Sequence, residues 1–133
     1  VVVGDSSATL LGALKSKNID FLGRVEDLSD VYNQARIFVA PTRFAAGIPH
    51  KIHEAASRGV PTVATGLLTA QLGWSHGEEL LSADNAEDFI LQCDRLLNEK
   101  DLWDDVQTKA LAAVKRDCSA DDFKSKLFSV VNP

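Results

Sequence analysis

The stretch RIFVAPTRFAAGIPHKIHEAASRGVPTVATG, residues 36–66, decides the fold. Residues 36–40 and 61–65 are two short apolar runs of the length of buried strands. Residues 49–58 between them have the length and apolar spacing of a helix, and Pro49 suits its first turn because proline has a fixed φ and no N–H. A strand, a helix and a strand in this order predict a parallel unit with a right-handed crossover.

The same alternation extends in both directions along the chain. It predicts further strands over residues 1–4, 19–22 and 79–82, a helix over residues 7–15, and a short helix capped by Asp27 or Ser29. The fold class is therefore α/β, with a doubly wound, mostly parallel, Rossmann-like sheet of about five strands. We expect strand 36–40 to be central and buried on both faces. From residue 86 onward apolar residues recur at helical spacing alone, which predicts a helical C-terminal segment.

Size and composition narrow the classes of protein. The chain has 133 residues, a formal net charge of −5 and 45% hydrophobic residues, which fits one domain spanning residues 1–133. The acidic balance disfavours a nucleic-acid partner. No apolar run approaches the roughly 20 residues of a transmembrane segment, and no signal peptide opens the chain, so we expect a cytoplasmic location.

The first residues have the apolar, β-branched composition of the interior of a β-strand. The chain opens on Val1-Val2-Val3 and contains no methionine, so we expect a segment of a longer protein, truncated at its N-terminus. A strand left without its neighbour would expose an edge through which copies of the chain could self-associate.

Basic residues concentrate near the deciding stretch. Residues 31–77 hold four lysines and arginines, Arg36, Arg43, Lys51 and Arg58, against the single acid Glu54. This balance suits an anionic ligand. Spacing alone slightly favours a surface ladder of charges over a ligand site, because Lys51, Glu54 and Arg58 share one face of the predicted helix.

Common signatures of other site types are absent from the sequence. It contains no GxGxxG, no GxxxxGK[ST], no GxSxG and no HExxH. Cys93 and Cys118 lack zinc-site spacing, and no Asp-x-Asp occurs, so we predict no metal site. In an open parallel sheet ligands bind beyond the carboxyl ends of the strands, so the loops that follow the predicted strands 36–40 and 61–65 are the candidate sites.

Several motifs then follow one another in a recognisable order. They are Phe21 to Gly23, Asp27-Leu28, Val39 to Thr42 and the run EAASRGVPTVA at residues 54–64. In this succession residues 20–81 resemble the C-terminal, donor-binding domain of the group 1 glycosyltransferases of GT-B fold. Ala46 stands where many members carry the first of two glutamates, and the loop is similar instead to the subset with Arg-x-x-x-Gly-Ile-x-x-Lys-x-x-Glu.

The resemblance implies a set of site residues. The donor diphosphate would contact Arg43, Gly47 and Lys51, together with backbone N–H groups of Gly66, Leu67, Leu68 and Thr69. Glu54 would accept hydrogen bonds from the ribose hydroxyls, and the turn Gly23-Arg24-Val25 would flank the base. No catalytic residue is assigned, since a general base would belong to the other domain of such an enzyme.

The implied activity is transfer of a sugar from a nucleotide-diphosphate donor to an acceptor hydroxyl, without a metal or cofactor. A separate N-terminal domain would bind the acceptor, so the isolated segment would be inactive. Two alternatives stay open at this point. They are a sugar-nucleotide epimerase domain and a non-catalytic doubly wound α/β module.

Overall fold

The computed structural model describes residues 1–4, 18–121, 124, 125 and 128. Within these residues the strands are β1 (Val2–Val3), β2 (Phe21–Gly23), β3 (Phe38–Ala40), β4 (Thr62–Ala64) and β5 (Leu81–Ser82). The helices are α1 (Ser29–Gln34), α2 (His50–Ser57), α3 (Gly66–Leu72), α4 (Ala86–Asn98) and α5 (Lys100–Asp117). All strand pairs are parallel, which confirms the predicted α/β class. The helix predicted over residues 7–15 lies outside the described residues.

The chain divides into two compact units, Val1–Asn33 and Gln34–Pro133. In the first unit β1 pairs with β2, and the side chains of Val2 and Val3 are exposed. Helix α1 begins where the N–H of Ser29 donates to Oδ1 of Asp27 at 2.8 Å, as expected for an aspartate two residues before a helix. Self-association through the exposed strand stays a prediction.

The second unit is built on a three-stranded sheet with the order β3-β4-β5. Strand β4 is central, and all three of its residues are buried. The expectation that residues 36–40 form the central strand is wrong for this sheet, because β3 lies at its edge and Val39 is 47% exposed. A central strand and an edge strand with one covered face can have the same apolar composition. The composition of residues 36–40 therefore does not predict the position of β3 in the sheet.

Two clusters of apolar side chains cover the sheet. On one side Ala64 of β4 packs in a cluster with α2, α3 and α5, whose buried members are Ala40, Ile52, Ala56, Ala64, Leu68, Trp74, Leu80, Ala110 and Ala113. On the other side Val63 packs with Leu81, Leu96 and Val106. Alternate residues of β4 thus enter different clusters, which is the pattern of a strand with helices on both faces.

Helix ends follow ordinary capping chemistry. The side chain of Asn85 accepts a hydrogen bond from the N–H of Asp88 at 2.9 Å and so caps α4. Helix α2 ends just before Gly59, which has a φ of 75° and supplies the left-handed conformation that terminates helices. Among the described residues, no helix combines the length and the apolarity needed to span a membrane.

A buried indole and a carboxylate join three elements of the second unit. The Nε1–H of Trp74, just after α3, donates to Oδ2 of Asp117 at the end of α5, at 2.8 Å. Nε2 of His53, on α2, lies 3.5 Å from the same oxygen, and its ring meets Trp74 edge-on. Partial burial raises the pKa of the Asp117 carboxyl, but hydrogen bonds from Arg116, Trp74 and His53 outweigh burial and hold this pKa below its usual range.

The lowered pKa gives a prediction for acid stability. A carboxyl whose pKa is lower in the folded state stabilises the fold above its unfolded pKa of about 3.9, and this stabilisation is lost as the pH falls through the folded value. We expect Asp117→Asn to lower the free energy of unfolding at pH 7 and to flatten its decline below about pH 4. Urea unfolding across this pH range measures both effects. Asp101→Asn, at the opposite end of α5, is the control, and an equal flattening in the control would contradict the assignment.

Candidate functional site

The segments that follow β3, β4 and β5 meet at one edge of the sheet. They are residues 41–49, which we name the β3 loop, the turn at Thr65 and Gly66, and residues 83–86. Parallel pairing brings these carboxyl ends together, since Ala40 lies beside Ala64 and Ala64 beside Ser82. This edge is where the sequence predicts the ligand site.

The β3 loop is fastened to the neighbouring elements at two points. The hydroxyl of Thr65 donates to the carbonyl oxygen of Thr42 at 2.7 Å, which ties the loop to the end of β4. Farther along, Nε2 of Gln71 on α3 donates to the carbonyl oxygen of Ala45 at 3.0 Å. Gly47 has a φ of 85°, a backbone conformation that favours glycine. The loop therefore has a defined path although most of its side chains are exposed.

Two cations lie on this loop and on the helix that follows it. Nζ of Lys51, in the first turn of α2, donates to Oγ1 of Thr42 at 3.0 Å, so its ammonium group is held against the start of the β3 loop. Arg43 is the next residue of that loop and is exposed. The structure thus places the Lys51 ammonium beside the residue that precedes Arg43.

Glu54 lies on the same face of α2 as Lys51, one turn farther on. Its side chain is 43% exposed, and Oε1 is 3.9 Å from Nε of Arg58. The predicted ladder of surface charges is therefore present in part. At this distance and exposure such a pair contributes little to stability. The Glu54 carboxylate is accessible to a ligand because its side chain is half exposed.

The N–H groups predicted to hold the distal phosphate are partly engaged within the chain. The N–H of Gly66 donates to Oδ1 of Asp84 at 2.8 Å, and the N–H of Thr69 donates to the carbonyl oxygen of Thr65 at 3.1 Å. Leu67 is exposed and Leu68 is buried. A phosphate that used the Gly66 N–H would have to replace the Asp84 carboxylate.

Asp84 was not among the residues predicted for the site. It lies two residues before α4, where acids are common, and its position in the sequence gives no sign that its carboxylate returns to α3. A side chain at position 66 would place its Cβ 2.7 Å from Oδ2 of Asp84. Glycine at position 66 therefore gives the carboxylate room to approach the backbone. This contact is a structural reason for glycine at this position, which the sequence analysis assigned only to a phosphate-binding turn.

Two depressions border the same edge, and Arg43 lines both. The first, of about 560 Å³, is open and is lined by Arg43, Phe44, Ala45, Ala46 and Leu67. The second, of about 240 Å³, we name the β5 cleft; its lining is Pro41, Arg43, Thr65, Ala83, Asp84, Asn85, Ala86, Phe89 and Ile90. The β5 cleft has contributions from the ends of all three strands.

The residues predicted to flank the base belong to the first unit. Gly23 ends β2 with a φ of 65°, and the exposed Arg24 and half-buried Val25 follow it directly. The chain bends at Arg24, directly after β2. Their role toward a base stays a prediction.

A family model described as Glycosyl transferases group 1 matches residues 1–99. The matched range includes β1 to β5 and every residue named above for the edge of the sheet. No curated protein matches the chain.

The bond between Thr65 and Thr42 supports a prediction about the β3 loop. Thr65→Val keeps the shape of the side chain but leaves the Thr42 carbonyl without this donor, at a cost of about 1 kcal/mol in the free energy of unfolding. We expect faster amide hydrogen exchange across residues 41–49 in this variant. Thr108→Val removes a similar bond, to the Asp104 carbonyl within α5, and is the control. Unchanged exchange in the loop after Thr65→Val would show that the bond does not hold it.

Proposed function

The chain belongs to the group 1 glycosyltransferases, and we propose that it is the donor-binding, C-terminal part of a GT-B enzyme. In this proposal the enzyme transfers a sugar from a nucleoside diphosphate to an acceptor hydroxyl. The observation that carries the proposal is the position of two cations at the carboxyl edge of a parallel sheet, Arg43 on the fastened β3 loop and Lys51 in the first turn of α2. Membership of a transferase family also argues against the epimerase and the non-catalytic alternatives.

Arg43 and Lys51 suit the two ends of a diphosphate. A guanidinium offers two parallel N–H donors to a phosphate, whereas an ammonium acts as a compact point charge. Lys51 is aimed by its bond to Thr42, and Thr42 is fixed in turn by Thr65, so the ammonium position is set by the end of β4. Gly47 allows the bend that returns the loop to α2.

These cations also explain how the site would favour transfer. The bond between the anomeric carbon and the distal phosphate oxygen breaks, and its electron pair passes to the diphosphate. The acceptor oxygen bonds to that carbon and gives up its hydroxyl proton to a base. Positive charge already fixed beside the leaving group stabilises this transition state more than the ground state. We propose that the diphosphate leaves without the help of a metal or cofactor. The acceptor and any general base belong to a further domain.

Glu54 supplies the second part of donor recognition in this proposal. Its carboxylate lies one helical turn beyond Lys51, on the same face of α2, and its contact with Arg58 is long. A ribose next to a phosphate on Lys51 would bring its hydroxyls toward that carboxylate.

A pair of substitutions separates the two roles. Lys51→Ala removes a charge-assisted phosphate contact of about 1.5 to 3 kcal/mol, so it should weaken binding of the nucleoside diphosphate about tenfold or more. Binding of the free nucleoside should hardly change. Calorimetric titration with UDP, GDP and ADP, and with the matching nucleosides, measures both. Lys100→Ala removes an exposed lysine at the start of α5 and is the control.

Glu54→Ala should have the opposite pattern. It should weaken the nucleoside and the nucleoside diphosphate together, while pyrophosphate binding stays nearly constant. Equal losses for nucleoside and diphosphate after Lys51→Ala, or no loss after Glu54→Ala, would contradict these roles. The charges on α2 would then be only a surface ladder.

A further inference from the structure

We infer that the β5 cleft binds the transferred sugar, and that Asp84 selects a sugar without negative charge. This inference rests on the proposed function, because it needs a donor phosphate at Arg43. Arg43 lines the β5 cleft together with Asp84 and Asn85. A sugar linked to a phosphate on Arg43 therefore has a cleft with hydrogen-bonding groups directly beside it.

The order of the strands gives the donor a direction along the edge. The proposed ribose contact, Glu54, lies on α2, which follows β3, while Asp84 follows β5, two strands away in the order β3-β4-β5. Neighbouring strands lie about 4.8 Å apart, so this edge has room for successive groups of one extended ligand. The nucleoside would lie toward α2, the diphosphate at Arg43 and Lys51, and the sugar toward β5.

The Asp84 carboxylate is held in place and still has acceptor capacity. Oδ1 accepts the Gly66 N–H at 2.8 Å, and the absent side chain at position 66 leaves room for Oδ2. A carboxylate has about four acceptor positions, so sugar hydroxyls can donate to those that Gly66 does not use. A uronic acid would place a second carboxylate beside Asp84, and the repulsion between like charges disfavours it.

The remaining walls of the β5 cleft suit the apolar side of a sugar ring. Ile90 is 69% exposed, and Phe89 is half-buried against the core. The C–H groups of a pyranose could cover these surfaces while its hydroxyls face Asp84 and Asn85. The other depression, around Ala46, has Arg43 as its single charged lining residue, so of these two depressions the β5 cleft alone offers a carboxylate.

Glucose 1-phosphate and glucuronic acid 1-phosphate are suitable probes, because they differ in the charge of the sugar and contain no base. Their dissociation constants can be measured on the full chain by amide chemical-shift titration, with pyrophosphate as the sugar-free reference. The wild type should bind glucose 1-phosphate about tenfold more tightly than the uronic acid. Asp84→Asn keeps an acceptor for Gly66 and removes the charge, so this ratio should fall toward about one. Glu87→Gln, which removes a nearby exposed charge outside the cleft lining, should leave the ratio unchanged.

The outcomes separate this inference from the proposed function. If pyrophosphate and nucleoside diphosphates bind, but the ratio is the same in the wild type and in Asp84→Asn, the sugar lies elsewhere and the inference is wrong. A ratio that falls equally in Glu87→Gln would also overturn it, since the effect would then be one of overall charge. If neither pyrophosphate nor any nucleoside diphosphate binds, the proposed function fails and the inference fails with it.

Discussion

Burial of β4 on both faces is the constraint on which the second unit depends. Val63 enters one apolar cluster and Ala64 the other, so the strand holds helices on both sides of the sheet. Parallel partners on both edges of β4 then bring the ends of β3 and β5 to the same level. Every side chain that we assign to the donor's phosphates, ribose or sugar lies on a segment that follows the carboxyl end of β3 or β5.

Basic and acidic side chains occupy different positions along the carboxyl edge of the sheet. The fastened β3 loop and the first turn of α2 bring Arg43 and Lys51, whereas the acids Glu54 and Asp84 arrive from α2 and from the segment after β5. A nucleoside-diphosphate sugar has a matching sequence of groups, with hydroxyls at both ends and negative charge between them. Hydrogen bonds from Thr65 and Gln71 to backbone carbonyl oxygens of the β3 loop hold this loop in its position at the edge.

Much of this arrangement could be predicted from the sequence, because it depends on local patterns. Apolar runs bounded by Pro and Gly located the strands to within two residues. The apolar spacing within residues 49–58 predicted the helix α2, whose buried residues are Ile52, Ala55 and Ala56. The motif at residues 54–64 indicated the family that the family model then matched. These features follow from periodicity and from residue types that are specific to one backbone conformation.

The rest depends on contacts between residues far apart in the chain. The edge position of β3 is set by which strands pair, and the composition of residues 36–40 does not encode that choice. Asp84 reaches Gly66 across 18 positions, and Trp74 reaches Asp117 across 43. An aspartate at a helix start and an isolated tryptophan are each compatible with many environments, so neither partner could be identified from sequence alone.

We propose that the diphosphate binds between Arg43 and Lys51 at the carboxyl edge of β3 and β4. A crystal structure of the protein with whichever of UDP, GDP or ADP it binds tests this claim most directly. We expect phosphate oxygens within hydrogen-bonding distance of the Arg43 guanidinium and of Nζ of Lys51. Phosphates bound away from this edge, or in contact with neither side chain, would contradict it.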